Sequence, residues 1–499
     1  MRAGVAAAAV LAALSLAVLI PNHPTGRDPA EDTGVFFYAA QRLLDGGAPY
    51  RDIWDHKPPG VYMVDAVGLA IGREVGVWLV QVTFLVAATL LGYRALLAAF
   101  GAAAALIGSL AWLVALPRLF LENGHTSFAE FYALPLQFGA LFLFRDGRAL
   151  STGRAIGLGA LGGGALLLKP TLVGIWIAIA LVMLLRGRRT AVVPVALIAV
   201  GGLLPLAIVI AWAAARGVLG EMVDQAVVYN RAYAAFAPVS DRVAAVLSGM
   251  RLTLPSGLAV VAVGAWLDAM LGRRFSPALL GVALIAFPLE IALSAWGRGY
   301  HYYFIAWLPA MAILAAFAVA EMLRIVPPRL AWPVLALGVL SMSVLPALLV
   351  TRLALTTGPE RAGAAAAYVA ANTRVDDTVL IWGAHSEVLF MAGRRSPTRY
   401  VYQYAALATR GYATPARVEE LFADLRRERP VLIVDASAES FVTPPLDVAG
   451  FLAWVSPEPQ YALQPELLSV IEYIVANYDR TGTEPATGWP LWRLRSARR

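Results

Sequence analysis

The chain has 499 residues, of which 59% are hydrophobic and only 15% charged, a balance outside the range of ordinary soluble domains, where apolar residues and glycine together make up about half. Forty Lys and Arg against 33 Asp and Glu give a formal charge of +7. Several apolar runs exceed the ~18–20 residues that cross a bilayer as a helix, so this charge reports topology and not a nucleic-acid surface. With no cysteine, disulfides, thiolate metal sites and cysteine nucleophiles are excluded.

Residues 5–20 resemble a signal-peptide core, but no small-residue cleavage pattern precedes Pro21-Asn22-His23-Pro24, and they are expected to remain as a first span. Further apolar stretches centre on 75–93, 100–116, 127–144, 155–168, 170–185, 191–215, 243–271, 276–295, 302–323 and 331–351, for about eleven spans. Threaded alternately, they collect Arg2, Arg94, Arg145, Arg148, Arg154, Arg186, Arg188, Arg189, Arg273, Arg274, Arg324 and Arg329 on one side, with few acids (Asp146, Asp268, Glu321). The positive-inside rule makes that side cytoplasmic, with the N-terminus. The other side receives 21–60, 117–126, 216–242, 296–301 and everything beyond about 352, together with all five histidines and the only two lysines, Lys57 and Lys169.

Beyond about residue 355 the hydropathy falls. Thr378-Val379-Leu380-Ile381-Trp382 and Val431-Leu432-Ile433-Val434-Asp435 read as strands, and 414–427 as a helix capped by Thr414 with Pro415 at its first position. The predicted fold is an all-α polytopic membrane protein (1–354, with a first external loop over 21–60) carrying a small extracytoplasmic α/β domain over 355–499. Gly162-Gly163-Gly164 reads as close helix packing. No Gly-x-x-x-x-Gly-Lys-[Ser/Thr] loop for ATP is present.

The first external loop concentrates charge and aromatics. The spacing of Val35, Tyr38, Ala39, Arg42 and Leu43 predicts a helix lying on the membrane interface, begun near Asp32 and ended by Gly46-Gly47. By position alone, Asp32 reads equally well as a helix cap. The loop continues through Trp54, Asp55, His56 and Lys57 into Pro58-Pro59, a turn that aims the lysine at the start of the next helix, where an anion is favoured.

An acidic residue just after the first span, an aromatic interfacial helix and a Lys-Pro-Pro turn resemble the GT-C class of membrane glycosyltransferases, and within it family 39, which includes protein O-mannosyltransferases and lipid A aminoarabinose transferases. The resemblance implies an inverting single displacement from a polyprenyl-phosphate sugar, with Asp32 as the base and Lys57 near the lipid phosphate. Some relatives carry Glu where this chain has His56. Such a transfer must deprotonate an acceptor and hold a departing phosphate. Lys57, Lys169, Arg298 and His301 are the candidates for the phosphate, and Tyr38 and Trp54 for packing against sugar or prenyl chain.

Other readings compete at several positions. Lys169, between Leu168 and Pro170, also fits a snorkelling helix end. Tyr300, Tyr302 and Tyr303 also fit an aromatic belt. Glu130, just inside a span, fits a second carboxylate for the acceptor or an interhelical contact. Asp55, His56, His301 and Glu130 carry donors for a divalent cation, without the tight spacing of a metal motif. Trp382-Gly383-Ala384-His385-Ser386-Glu387, after a strand, reads as a surface strand-to-helix turn, with the lining of a cleft for the acceptor as the alternative. The expected activity is sugar transfer to a glycan, lipid or protein hydroxyl at a bacterial inner membrane. The rival is a transporter or flippase for an anionic polyprenyl-linked lipid or glycan, which calls for charges near mid-membrane.

Overall fold

A computed structural model of the chain describes residues 2–122, 124–145, 150–236, 238–295, 298–355, 361–440, 442–456 and 458–495. Asp146 and Arg148 lie outside the described residues.

Eight helices fill the first 215 residues: α1 (Arg2–Leu19), α2 (Glu31–Leu44), α3 (Gly60–Phe100), α4 (Ala102–Phe120), α5 (Ala129–Phe144), α6 (Thr152–Leu168), α7 (Gly174–Gly187) and α8 (Val192–Ala215). Helices over Val239–Thr253, Leu258–Leu271, Ala278–Ser294, Leu308–Ile325 and Pro328–Leu355 complete the bundle. Among the described residues, six helical segments are long and apolar enough to cross a membrane, one of them the α7–α8 stretch Gly174–Ala215. A seventh is the pair Val239–Ser256 and Leu258–Leu271, bent by 106°. The left-handed backbone of Gly257 (φ 68°) makes that bend. The apolar helices α5, α6 and Ala278–Ser294 are shorter, at 16 or 17 residues. The eleven anticipated spans each fall on one of these helices or on the bent pair.

Most of these helices are apolar on every side, so packing depends on small residues, not on an amphipathic stripe. A side chain at Gly159, Gly163 or Gly201 would run into the backbone of the facing helix, which is how α6 and α8 lie so close. Only 6% of the apolar window in Pro328–Leu353 is buried, the mark of a helix facing lipid.

The C-terminal region holds β1 (Val379–Trp382), β2 (Leu432–Asp435), β3 (Tyr478–Thr483) and β4 (Pro490–Leu494), in the order β1-β2-β4-β3. β1 and β2 pair in parallel, Val379 opposite Leu432, and both are buried throughout, as parallel strands covered on two faces are. The antiparallel β3–β4 hairpin has a polar edge, Asp479-Arg480-Thr481, and carries no alternating pattern that would predict it. The predicted helix over 414–427 is Pro415–Glu428, with Thr414 at its N-cap.

The structure departs from the sequence reading at α2. The helix does not leave an apolar face open to lipid: Thr33 to Ala40 are all buried, because α3 covers one face and the C-terminal region the other. Gly34 lies so close to Glu387 that a Cβ would overlap its backbone, Phe37 and Phe390 ring centroids are 5.3 Å apart, and Tyr38 Oη accepts from Ser396 N–H at 2.9 Å. The turn at 382–387 is therefore buried against α2 and is not a surface turn.

Candidate active site

A cavity of about 1320 Å³ opens where the end of the bundle meets the C-terminal region, and its lining includes Asp32, His56, Lys57, His301, Tyr302 and Tyr303. Asp32 reaches it from the first turn of α2. The N-cap there is Ala30, which makes no side-chain capping bond, so the cap alternative for Asp32 is not what the helix uses. Asp32 is exposed to the cavity, and its Oδ2 accepts a hydrogen bond from Tyr302 Oη at 3.0 Å. Glu31, beside it, is pushed up to about 7 by burial and by Glu387, Asp32 and Glu122, against the pull of His385. In the C-terminal region His385 Nδ1 lies 2.7 Å from Glu387 Oε1.

Lys57 is fixed by its own backbone. Its carbonyl accepts from Tyr50 Oη at 2.9 Å and Tyr62 Oη at 3.3 Å, and Pro59 caps α3 directly after it. A Cβ at Gly60 would come within 2.5 Å of the Leu167 carbonyl, so glycine lets the start of α3 lie against the end of α6. Burial works against the Lys57 charge, but Tyr303 and the carboxylates of Asp32, Glu130 and Asp55 outweigh it and hold the ammonium above its ordinary range.

The other candidates separate into distinct settings. Lys169 Nζ lies 2.5 Å from Glu130 Oε1 and 3.3 Å from the Tyr303 ring centroid, so both residues stand behind the Tyr303 wall and not on the lining. Arg298 pairs with Glu458 of the C-terminal region, which places a carboxylate where a free phosphate contact was expected. His301 Nε2 is 3.1 Å from Glu122 Oε1. Tyr38 and Trp54 are buried, 3% and 1% exposed, outside the lining. Trp54 Nε1 donates to Tyr412 Oη at 3.1 Å, and its ring meets Tyr229 edge-on at 4.9 Å.

Asp55 is a buried junction. It accepts from Tyr62 Oη, from Tyr402 Oη at 2.5 Å, and lies 3.2 Å from His56 Nδ1. Burial opposes its charge, yet His56, Lys57 and Tyr402 hold the carboxyl well below the usual range. Its oxygens are therefore engaged, and Glu130 is turned to Lys169. Among the described residues no three His, Asp or Glu side chains converge as ligands for a metal ion, and Asp55, His56, His301 and Glu130 do not form one donor set.

Four cavity tyrosines escaped the sequence reading: Tyr229, Tyr233, Tyr404 and Tyr461. The first two stand one helical turn apart in the helical segments Asp224–Tyr229 and Asn230–Ala235, the single local signal that marks them; the others come from the C-terminal region.

No family model and no curated protein sequence matches the chain. Among solved structures it is similar to ArnT from Cupriavidus metallidurans bound to undecaprenyl phosphate, with a TM-score of 0.61 and 15% identity over 98% of this chain and 97% of that one. It is also similar to the Archaeoglobus fulgidus oligosaccharyltransferase tethered with an acceptor peptide containing the NVT sequon, with a TM-score of 0.54 and 12% identity over 99% and 74%. The archaeal oligosaccharyltransferase AglB from the same organism, in complex with an inhibitory peptide and a dolichol-phosphate, gives 0.53 and 13% over 99% and 74%. Sharing this architecture over nearly its whole length and bearing several membrane-crossing helices, the chain is a multi-pass membrane protein with the GT-C fold.

Proposed function

We propose that the protein is an integral-membrane glycosyltransferase that moves a hexose or pentose from a polyprenyl-phosphate carrier to the hydroxyl of a glycan, lipid or protein on the extracytoplasmic face of a bacterial inner membrane. The observation that carries this reading is that Asp32 and Lys57 open into one large cavity at the end of a GT-C bundle. The Asp32 carboxylate at the first turn of α2 can take the proton of an acceptor hydroxyl. The acceptor oxygen then forms its bond to the anomeric carbon as the bond from that carbon to the phosphate oxygen breaks, with inversion. The electron pair leaves on polyprenyl phosphate, whose new charge the Lys57 ammonium compensates. The proton ends on Asp32 and returns to water through the cavity. His56 and the cavity tyrosines offer hydroxyls and ring faces for a sugar, and the region beyond residue 355 roofs the cavity where an acceptor enters. The similarity to structures that hold undecaprenyl phosphate and dolichol-phosphate supports the class of donor.

The test is sugar transfer by purified protein in liposomes, offered a panel of radiolabelled polyprenyl-phosphate sugars. Wild type consumes one member and releases polyprenyl phosphate. Lys57→Met lowers that rate by ~10²-fold or more, and Lys57→Arg, which keeps the charge, restores part of it. Consumption of no donor, or full activity in Lys57→Met, overturns the reading.

A further inference from the structure

We propose that Asp65 is a positioning residue for the Asp32 carboxylate, acting through Ser127 and the segment 126–128; the inference rests on the reading of Asp32 as the base. Asp65 sits in the second turn of α3 and is 0% exposed. Both its oxygens lie 2.9 Å from Ser127 Oγ, which donates to them, and Oδ1 also accepts from Tyr132 Oη at 2.6 Å.

The segment above it faces the base from two directions. The Ser127 backbone N–H donates to Thr33 Oγ1 at 2.9 Å, and Thr33 is the residue after Asp32 in α2. The next residue, Phe128, stacks on Tyr302 with centroids 4.2 Å apart and planes 14° from parallel. Tyr302 is the phenol that donates to Asp32. One short segment therefore sets both the helical turn that carries the carboxylate and the hydroxyl bonded to it.

Thr126 holds the segment from a third side: its N–H and Oγ1 donate to Asn22 Oδ1 at 2.8 and 2.9 Å, and its carbonyl accepts from Gln81 Nε2 at 2.7 Å. Those amides already satisfy the backbone, so packing alone does not call for a carboxylate at position 65. Burying one against two hydroxyl donors is costly. What it adds is a fixed direction for the Ser127 and Tyr132 hydroxyls, and with it a fixed seat for residues 126–128.

The test is a double-mutant cycle in the full-length protein, combining Ser127→Ala and Asp65→Asn with Asp32→Asn. Two readouts apply: kcat and KM for the panel donor that wild type consumes, and the pH midpoint at which a water-soluble carbodiimide with glycine ethyl ester modifies Asp32, followed by peptide mass spectrometry. Ser127→Ala and Asp65→Asn are expected to lower kcat by ~10–100-fold with donor KM nearly unchanged. They are expected to cause no further loss on Asp32→Asn and to move the Asp32 midpoint by about half a pH unit or more. Unchanged kcat and midpoint, or losses that multiply with Asp32→Asn, overturn the proposal. Ser127→Ala keeps the backbone bond to Thr33 and decides alone if Asp65→Asn does not fold. Full activity of Asp32→Asn sinks the reading of Asp32 as base, whereas a moved midpoint still supports the coupling, so the two failures are distinguishable.

Discussion

Replacing Asp55 by alanine tests whether this carboxylate holds the loop together or serves the chemistry. In the native protein it accepts hydrogen bonds from two buried phenols, Tyr62 of α3 and Tyr402 of the C-terminal region, and contacts His56. Alanine leaves the buried Tyr402 phenol without an acceptor, at about 1–3 kcal/mol, and leaves Tyr62 only its longer contact to the Lys57 carbonyl at 3.3 Å, for a total loss of about 2–4 kcal/mol. Asparagine keeps one accepting oxygen and is expected to lose about half of that. The second change Tyr402→Phe removes one stranded hydroxyl, so the double variant recovers about 1–3 kcal/mol relative to Asp55→Ala. Because the folded carboxyl titrates below its ordinary range, the native contribution is complete at neutral pH and declines as pH falls through the folded value, so wild type and variant converge in acid. Thermal unfolding followed by tryptophan fluorescence in detergent reads these differences as shifts of several degrees. An Asp55→Ala protein as stable as wild type, or no recovery with Tyr402→Phe, refutes the structural role.

Breaking the Lys169–Glu130 pair with Lys169→Met strands a buried carboxylate and is expected to cost about 3–5 kcal/mol, while the double variant with Glu130→Gln costs less; the comparison is made by unfolding midpoint. Gly34→Ala drives a methyl group into the backbone at Glu387 and is expected to destabilise the protein by about 1–3 kcal/mol, with faster proteolysis of the C-terminal region from the bundle. Glu31 binds its proton more tightly when folded, up to about 7, so it weakens the fold as pH rises from the ordinary glutamate range to that value. Glu31→Gln removes this slope, and its melting temperature relative to wild type should rise between pH 5 and pH 8; a constant offset contradicts the assignment.

The parts legible in the sequence were those written in local chemistry. Long apolar runs with arginine at one set of ends gave the bundle, Asp32 followed by an amphipathic stretch and two glycines gave α2, and Pro58-Pro59 gave the start of α3. The strands β1 and β2 are visible as short apolar β-branched runs, whereas β3 carries polar residues at the sheet edge and β4, between β2 and β3, is a five-residue Pro-Leu-Trp-Arg-Leu stretch with no β-branched run. What stayed hidden is tertiary. Asp55 and Lys57 are two residues apart and both charged on paper, but Asp55 is held by the phenols of Tyr62 and the distant Tyr402 while Lys57 opens to the cavity. Nothing near Arg298 in the chain announces Glu458, which pairs with it across 160 residues. α2 looks interfacial because nothing in its own sequence announces that a second layer will cover its outer face.

The most direct measurement of the central claim is donor consumption by Asp32→Asn against wild type, at matched folding, with the polyprenyl-phosphate sugar that wild type turns over. Asparagine keeps the size of the side chain and an oxygen for Tyr302 to bond, but it cannot take a proton from the acceptor. A loss of at least ~10²-fold in kcat, with donor KM little changed, is the expected result. Equal turnover by the two proteins contradicts the assignment of Asp32 as the base and, with it, the mechanism proposed for the cavity.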